Sequence, residues 1–190
     1  IPPQRIELCR MKRALIIVDV QYDFCPGGAL ATEKGNEVAQ RIGAIQPSYG
    51  TVVATQDWHI DPGSHFSENP DFVDSWPVHC VADSYGAAMH ESIGPAEAYF
   101  RKGEYTAAYS GFEGSADGVS LAQWLRDHNV SEVDIVGIAT DHCVRATAAD
   151  ALTEGFSVRV LADYCAPVDS SRGEAALEEL AEAGATIVRD

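Results

Sequence analysis

Val133-Asp-Ile-Val-Gly-Ile-Ala-Thr-Asp-His-Cys-Val-Arg145 reads as a buried strand, a tight turn and the start of a helix. Its Val- and Ile-rich first half suits a strand covered on both faces, and Thr140 or Asp141 is the expected N-cap of the helix that follows. Cys143 then falls in the first helical turn. There the helix dipole and unpaired backbone N–H groups stabilise a thiolate and can receive an oxyanion. A free cysteine is equally at home as an inert core thiol, so position alone leaves both readings of Cys143 open. Asp141 and His142 do not decide between them. Consecutive helical residues point about 100° apart, too far to line up as base and nucleophile.

Outward from this stretch, five more short apolar segments read as strands: Ala14–Val18, Thr51–Thr55, Ala98–Phe100, Val158–Leu161 and Thr186–Val188. Helical stretches fall at Glu33–Ile45, Leu121–His128, Cys143–Glu154 and Arg172–Ala183, the last with Ala175, Leu177, Leu180 and Ala181 on one face. Alternating strands and helices imply right-handed crossovers, hence an α/β domain with a mainly parallel sheet and helices on both faces. A ligand then sits beyond the carboxyl ends of the strands, where strand order reverses. The stretch from Gln56 to about Glu97 has weak periodicity and four of the six histidines, and an irregular segment of that length points to function.

Composition narrows the field. A chain of 190 residues with 46% hydrophobic and 22% charged residues is read as one globular domain over residues 11–190. Residues 1–10 precede Met11 and are set apart as an N-terminal extension, expected to be disordered or left over from cloning. Thirteen Lys and Arg against 29 Asp and Glu give a formal charge of -16, which argues against nucleic acid and anionic membrane as partners. Five widely spaced cysteines without a Cys-x-x-Cys pair fit a reducing cytoplasm, and no apolar run suggests a membrane span or signal peptide.

The polar residues at the strand ends are the candidates for chemistry. Asp19 closes the first strand and is either a base for Cys143, with its pKa raised by desolvation, or a carboxylate holding a loop amide. Arg101 and Lys102 follow the third strand, and alternation lets only one of them enter the site. A cation there would hold carboxylate and thiolate charged. Asp57 and His59 share one face of an extended segment; with His65 and His79 they form an oxygen and nitrogen set suited to Zn, Fe(II) or Mn, or they are ordinary loop residues. Phe24, Trp76 and Tyr109 are either a stacking cage for a flat ring or plain core.

Five ordered segments carry a resemblance: Arg13-Ala-Leu-Ile-Ile-Val-Asp-Val-Gln-Tyr-Asp-Phe24, Asp57-Trp-His-Ile-Asp-Pro-Gly-Ser-His-Phe66, Ser75-Trp-Pro-Val-His-Cys80, Lys102-Gly-Glu-Tyr-Thr-Ala-Ala-Tyr-Ser-Gly-Phe112 and Gly137-Ile-Ala-Thr-Asp-His-Cys-Val-Arg145. Together they resemble the nicotinamidase/pyrazinamidase branch of the isochorismatase-like cysteine hydrolases. The resemblance implies a three-layer α/β/α fold with a six-stranded sheet in the order 3-2-1-4-5-6. It implies catalytic roles for Asp19, Lys102 and Cys143, and one divalent metal ion on Asp57, His59, His65 and His79. A cis peptide before Ala139 and an oxyanion hole of the Ala139 and Cys143 backbone N–H groups are also implied, as is a ring-binding set of Phe24, Trp76, Tyr109 and His142. The expected reaction is nicotinamide to nicotinate and ammonia, with pyrazinamide as a second substrate, in a monomer or small homo-oligomer. Tyr22 and Trp58 depart from the familiar residues and are expected to tune the pocket without touching Asp19, Lys102 or Cys143.

Overall fold

The computed structural model describes residues 12–190, so Cys9 and the expectation for residues 1–10 lie outside the described residues. Eight strands form one sheet in the order β5-β4-β3-β2-β1-β6-β7-β8. They are β1 (Lys12–Val18), β2 (Val52–Asp57), β3 (Ala98–Lys102), β4 (Ser115–Ala116), β5 (Val119–Ser120), β6 (Val130–Ile138), β7 (Ser157–Ala166) and β8 (Thr186–Val188). The six strands expected from the sequence are all present, parallel, and in the expected relative order. The sheet is larger than six because β4 and β5 form a two-residue antiparallel hairpin on the free edge of β3. Segments that short carry no readable period, and pairing alone makes them strands.

Alternation along β1 shows how the layers form. Ala14, Ile16 and Val18 face a core shared with α2 (Leu121–Asp127), α3 (Arg145–Thr153) and α4 (Ser170–Ala183), while Leu15 and Ile17 face α1 (Gly35–Ile45). Both faces of the strand are buried, which is why its sequence is continuously apolar rather than alternating. The strand order reverses between β1 and β6, so Asp19 and the segment after Ile138 emerge side by side at the switch point. Gly137 permits that neighbourhood: its φ is +127°, and a Cβ there would lie 2.1 Å from the Val18 carbonyl oxygen.

Within the sheet, one carboxylate ties three elements. Asp134 of β6, fully buried, accepts hydrogen bonds from Arg13 of β1 (2.6 Å), Arg159 of β7 (2.8 and 2.5 Å) and the Tyr49 hydroxyl (2.5 Å). Burial alone would raise its pKa, but these donors outweigh it and hold the carboxyl below the usual range. Asp134→Ala is therefore expected to cost about 2–4 kcal/mol at neutral pH. Because the folded-state pKa is depressed, this stability is present above the unfolded pKa of about 4 and is lost as pH falls through the lower folded value. Denaturant titrations of both proteins would show a gap constant from neutral to mildly acidic pH that closes only below about pH 4.

Candidate active site

Each polar candidate is delivered by a strand end. At the end of β1, Asp19 turns the chain with φ +49°, a left-handed conformation that Asp tolerates better than branched residues. Its side chain is fully buried; one oxygen accepts from Thr55 Oγ1 (2.7 Å) and the other from Lys102 Nζ (2.8 Å). Lys102 closes β3, and alternation sends it inward while Arg101 lies outside over the Trp58 ring at 3.7 Å. The same ammonium donates to the Asp57 carboxylate and lies 3.7 Å from Cys143 Sγ. Asp19, Asp57 and Cys143 thus converge within 4.8 Å.

The turn holding Cys143 is wider than expected. Residues Thr140–Val144 make a π-helical turn in which the Val144 N–H reaches the Ala139 carbonyl (3.0 Å), before α3 proper begins at Arg145. Neither Thr140 nor Asp141 caps it. Asp141 instead accepts from the Val168 and Asp169 N–H groups (2.9 and 3.2 Å), binding the turn to the loop after β7, and Ala139 occupies the cap position. The Ile138–Ala139 peptide is cis, as the resemblance implies.

The charges here sort themselves. Lys102 is driven down by burial but carried well above its ordinary value by Asp19 and Asp57, so it stays an ammonium. Burial would raise Asp57, yet the Lys102 ammonium brings it well below the carboxylate range. For Asp19 burial outweighs Lys102, and with the Asp57 charge beside it the pKa is left raised. Burial also pushes Cys143 well above an ordinary thiol, with Lys102 opposing and both carboxylates assisting. The expectation that one cation would hold carboxylate and thiolate both charged is corrected: one ammonium cannot balance three anions in a desolvated site. The resting site keeps the proton on sulfur, beside a carboxylate poised to take it.

Beyond Asp57, the loop supplies His59, His65 and His79, all buried, with ligand atoms within 4.8 Å of one another. His59 Nδ1 pairs with the Gly103 carbonyl (2.6 Å) and His79 Nδ1 with the Pro77 carbonyl (2.8 Å). These carbonyls require N–H at Nδ1, leaving both Nε2 atoms as lone-pair donors 3.3 Å apart and 3.6 and 3.7 Å from Asp57 Oδ2. His65 Nδ1 is buried without a partner, and burial pushes its pKa down to about 4, so it is neutral. Two lone pairs facing each other and an orphaned imidazole nitrogen fit a divalent cation, whose charge would satisfy all of them. Gly103 belongs to the design: at φ +75° it presents its carbonyl to His59, and a Cβ would lie 2.7 Å from the His59 ring.

A cavity of about 420 Å³ opens onto Cys143, Ala139, Asp57, His65 and His79. Phe24, Trp76, Tyr109 and His142 all line it; Trp76 meets His142 edge-on at 5.3 Å, and its Nε1 donates to the Tyr109 hydroxyl (3.2 Å). Tyr22 and Trp58 do not line it. Tyr22 stacks on Tyr85 at 4.3 Å and Trp58 lies under Arg101, so neither tunes the pocket directly. Three contributors escaped the sequence reading. Gln21 clamps Asp57 by donating to its carbonyl (2.8 Å) and accepting from its N–H (3.0 Å); its place two residues after Asp19 was the available signal. Phe72 and Arg172 line the cavity from loops and helices distant in sequence, and nothing local marks them.

A buried thiol, carboxylate and ammonium at a parallel-sheet switch point, next to a three-histidine cluster, define a hydrolase-type centre. Residues 13–189 match the isochorismatase domain model, and the chain belongs to the isochorismatase family. It is 53% identical over 182 residues to the nicotinamidase/pyrazinamidase of Mycobacterium tuberculosis, covering 93% of this chain and 98% of that protein. Among solved structures, the pyrazinamidase of Pyrococcus horikoshii in complex with zinc superposes with a TM-score of 0.81 at 37% identity, covering 94% of this chain and 99% of the other. PnC1 of L. infantum in complex with nicotinate gives 0.83 at 36% identity, covering 94% and 93%.

Proposed function

We propose that this protein is a metal-containing cysteine amidohydrolase that converts nicotinamide to nicotinate and ammonia, accepts pyrazinamide, and serves NAD salvage in the cytoplasm as a monomer or small homo-oligomer. The observation that carries the reading is the meeting of the Cys143 thiol, the proton-poised Asp19 and the Lys102 ammonium behind a cavity lined with aromatic rings. The similarity to nicotinamidase/pyrazinamidase from Mycobacterium tuberculosis supports the substrate class.

In this mechanism Asp19 takes the Cys143 proton as sulfur attacks the amide carbon, and the Ala139 and Cys143 N–H groups receive the oxyanion. Asp19 returns the proton to the leaving ammonia, giving a thioester on Cys143. Asp19 then takes a proton from water, whose oxygen attacks the thioester carbon; sulfur leaves, is reprotonated by Asp19, and nicotinate is released. Lys102 remains protonated throughout and balances the charge that passes between sulfur and carboxylate. Phe24, Trp76, Tyr109 and His142 position the ring against the sulfur. Asp57, His59, His65 and His79 would hold a single divalent ion, Zn, Fe(II) or Mn, whose bound role is to orient the ring as a Lewis acid.

Ammonia release from nicotinamide and pyrazinamide, before and after chelation, tests the proposal; absence of turnover with either amide in metal-loaded protein would sink it. His59→Ala is expected to remove most of the bound metal and to raise KM about tenfold or more, a loss typical of a deleted ligand. Metal stoichiometry by elemental analysis checks this, and an unchanged ion content would remove His59 from the ligand set.

A further inference from the structure

The substrate cavity does not end at its aromatic wall. A second, more open groove of about 600 Å³ shares four of its lining residues, Phe72, Tyr109, His142 and Arg172. Beyond them it is lined by α3 and α4, where Ala146, Ala149 and Ala175 present methyl groups beside the Arg145–Glu179 ion pair (3.0 Å). Two spaces thus meet at a short boundary, and Phe72 is the apolar side chain that stands on both sides of it.

Phe72 is held there rather than left to wander. It is 52% exposed, has φ +57°, and packs edge-on to Trp76 at 5.9 Å. Its loop is organised by Asp71, one of whose oxygens accepts from the N–H groups of Val73, Asp74 and Ser75, each at 2.9 Å. The Phe72 N–H pairs with the Ser75 carbonyl (3.0 Å), and the Tyr109 hydroxyl donates to the Val73 carbonyl (3.2 Å). A left-handed phenylalanine with half its surface in water gains little from burial, and so many bonds fixing one turn point to a positioned side chain.

We infer that Phe72 is a specificity-determining residue that closes the cavity to one aromatic ring, with the groove behind it able to take a second fused ring against its alanine methyl groups once that side chain is removed. The inference rests on the aromatic carboxamide reading above. It assigns to Phe72 the choice between monocyclic and bicyclic heteroaromatic carboxamides.

Binding to proteins that cannot turn over substrate tests this. Dissociation constants of pyridine-3-carboxamide and quinoline-3-carboxamide are measured by calorimetry on metal-loaded Cys143→Ala and Cys143→Ala/Phe72→Ala, with Phe72→Leu in place of Phe72→Ala as an intermediate. The preference for the bicyclic over the monocyclic amide should rise at least tenfold on Phe72→Ala and by less on Phe72→Leu. An unchanged ratio, equal weakening of both ligands, or no binding of the bicyclic amide by the Phe72→Ala protein overturns the inference. Turnover of nicotinamide by the wild-type enzyme, measured alongside, reports separately on the parent reading. Circular dichroism of an exposed-site variant such as Phe72→Ala should match the parent, so a changed ratio reports the pocket and not the fold.

Discussion

Lys102→Met is expected to abolish amide hydrolysis and to destabilise the metal-free protein by about 3–5 kcal/mol, the usual cost of removing one partner from a buried charge cluster. The size of the effect follows from the arrangement. One fully buried ammonium donates to Asp19 and Asp57 and lies beside the Cys143 sulfur. Methionine replaces its length and apolar stem but leaves two desolvated carboxylates facing each other without a cation. One of them must then take a proton, and Asp19, already raised by burial, is the one that yields. A protonated Asp19 cannot act as base, so activity falls with stability. Denaturant unfolding and ammonia release measured together check the prediction; wild-type stability in Lys102→Met would show that the cluster is not held by this cation.

Cys143→Ala should lower turnover by about 10⁴-fold or more, the scale on which nucleophile deletions fall in enzymes that work through an acyl intermediate. Metal content should be unchanged, because the histidine cluster is fixed by its own carbonyl partners at Gly103 and Pro77 and by Gln21 behind Asp57. Asp19→Asn is the companion. It keeps the shape and the Thr55 contact but removes the base, and is expected to cost about 10²–10⁴-fold in kcat. Rapid-quench detection of a thioester in the wild type, and its absence in Cys143→Ala, distinguishes a nucleophile from a bystander thiol. Cys143→Ala retaining near-wild-type activity would remove the sulfur from the reaction.

The two experiments probe different halves of one structure joined at Lys102. The side nearest Asp19 and Cys143 moves protons; the side nearest Asp57 and the histidines offers lone pairs. Lys102 touches both, which makes its replacement the more damaging of the two for folding, whereas Cys143→Ala removes chemistry and leaves the charges balanced.

Much of this was legible in the sequence. Ala14–Val18 and Val133–Ile138 announce central strands because both of their faces are covered, and residues at strand ends in such a sheet fall on one rim. That logic gathered Asp19, Asp57, Cys143 and one of Arg101 and Lys102, and the five motifs carried the family and with it the choice of Lys102. The edge hairpin at Ser115–Ser120 was not legible, since two-residue strands have no period to read. Nor was the proton on Cys143: position in a first helical turn argued for a thiolate, but the state of a buried sulfur depends on every charge around it, and two carboxylates with one ammonium can be counted only once the strands are assembled. The capping role expected of Asp141 failed for a similar reason, because the loop after β7 offered its carboxylate better donors than the helix did.

By itself, then, the chain determined which side chains stand at the carboxyl rim of the sheet, because strand period and connection handedness are local properties. The tertiary structure decided how those side chains share charge, which nitrogen of His59 and of His79 is free, and that Phe72 stands where cavity meets groove. Apart from the local His79–Pro77 contact, the charge sharing and the His59 orientation rest on contacts between residues 41 to 83 positions apart, and only packing sets them.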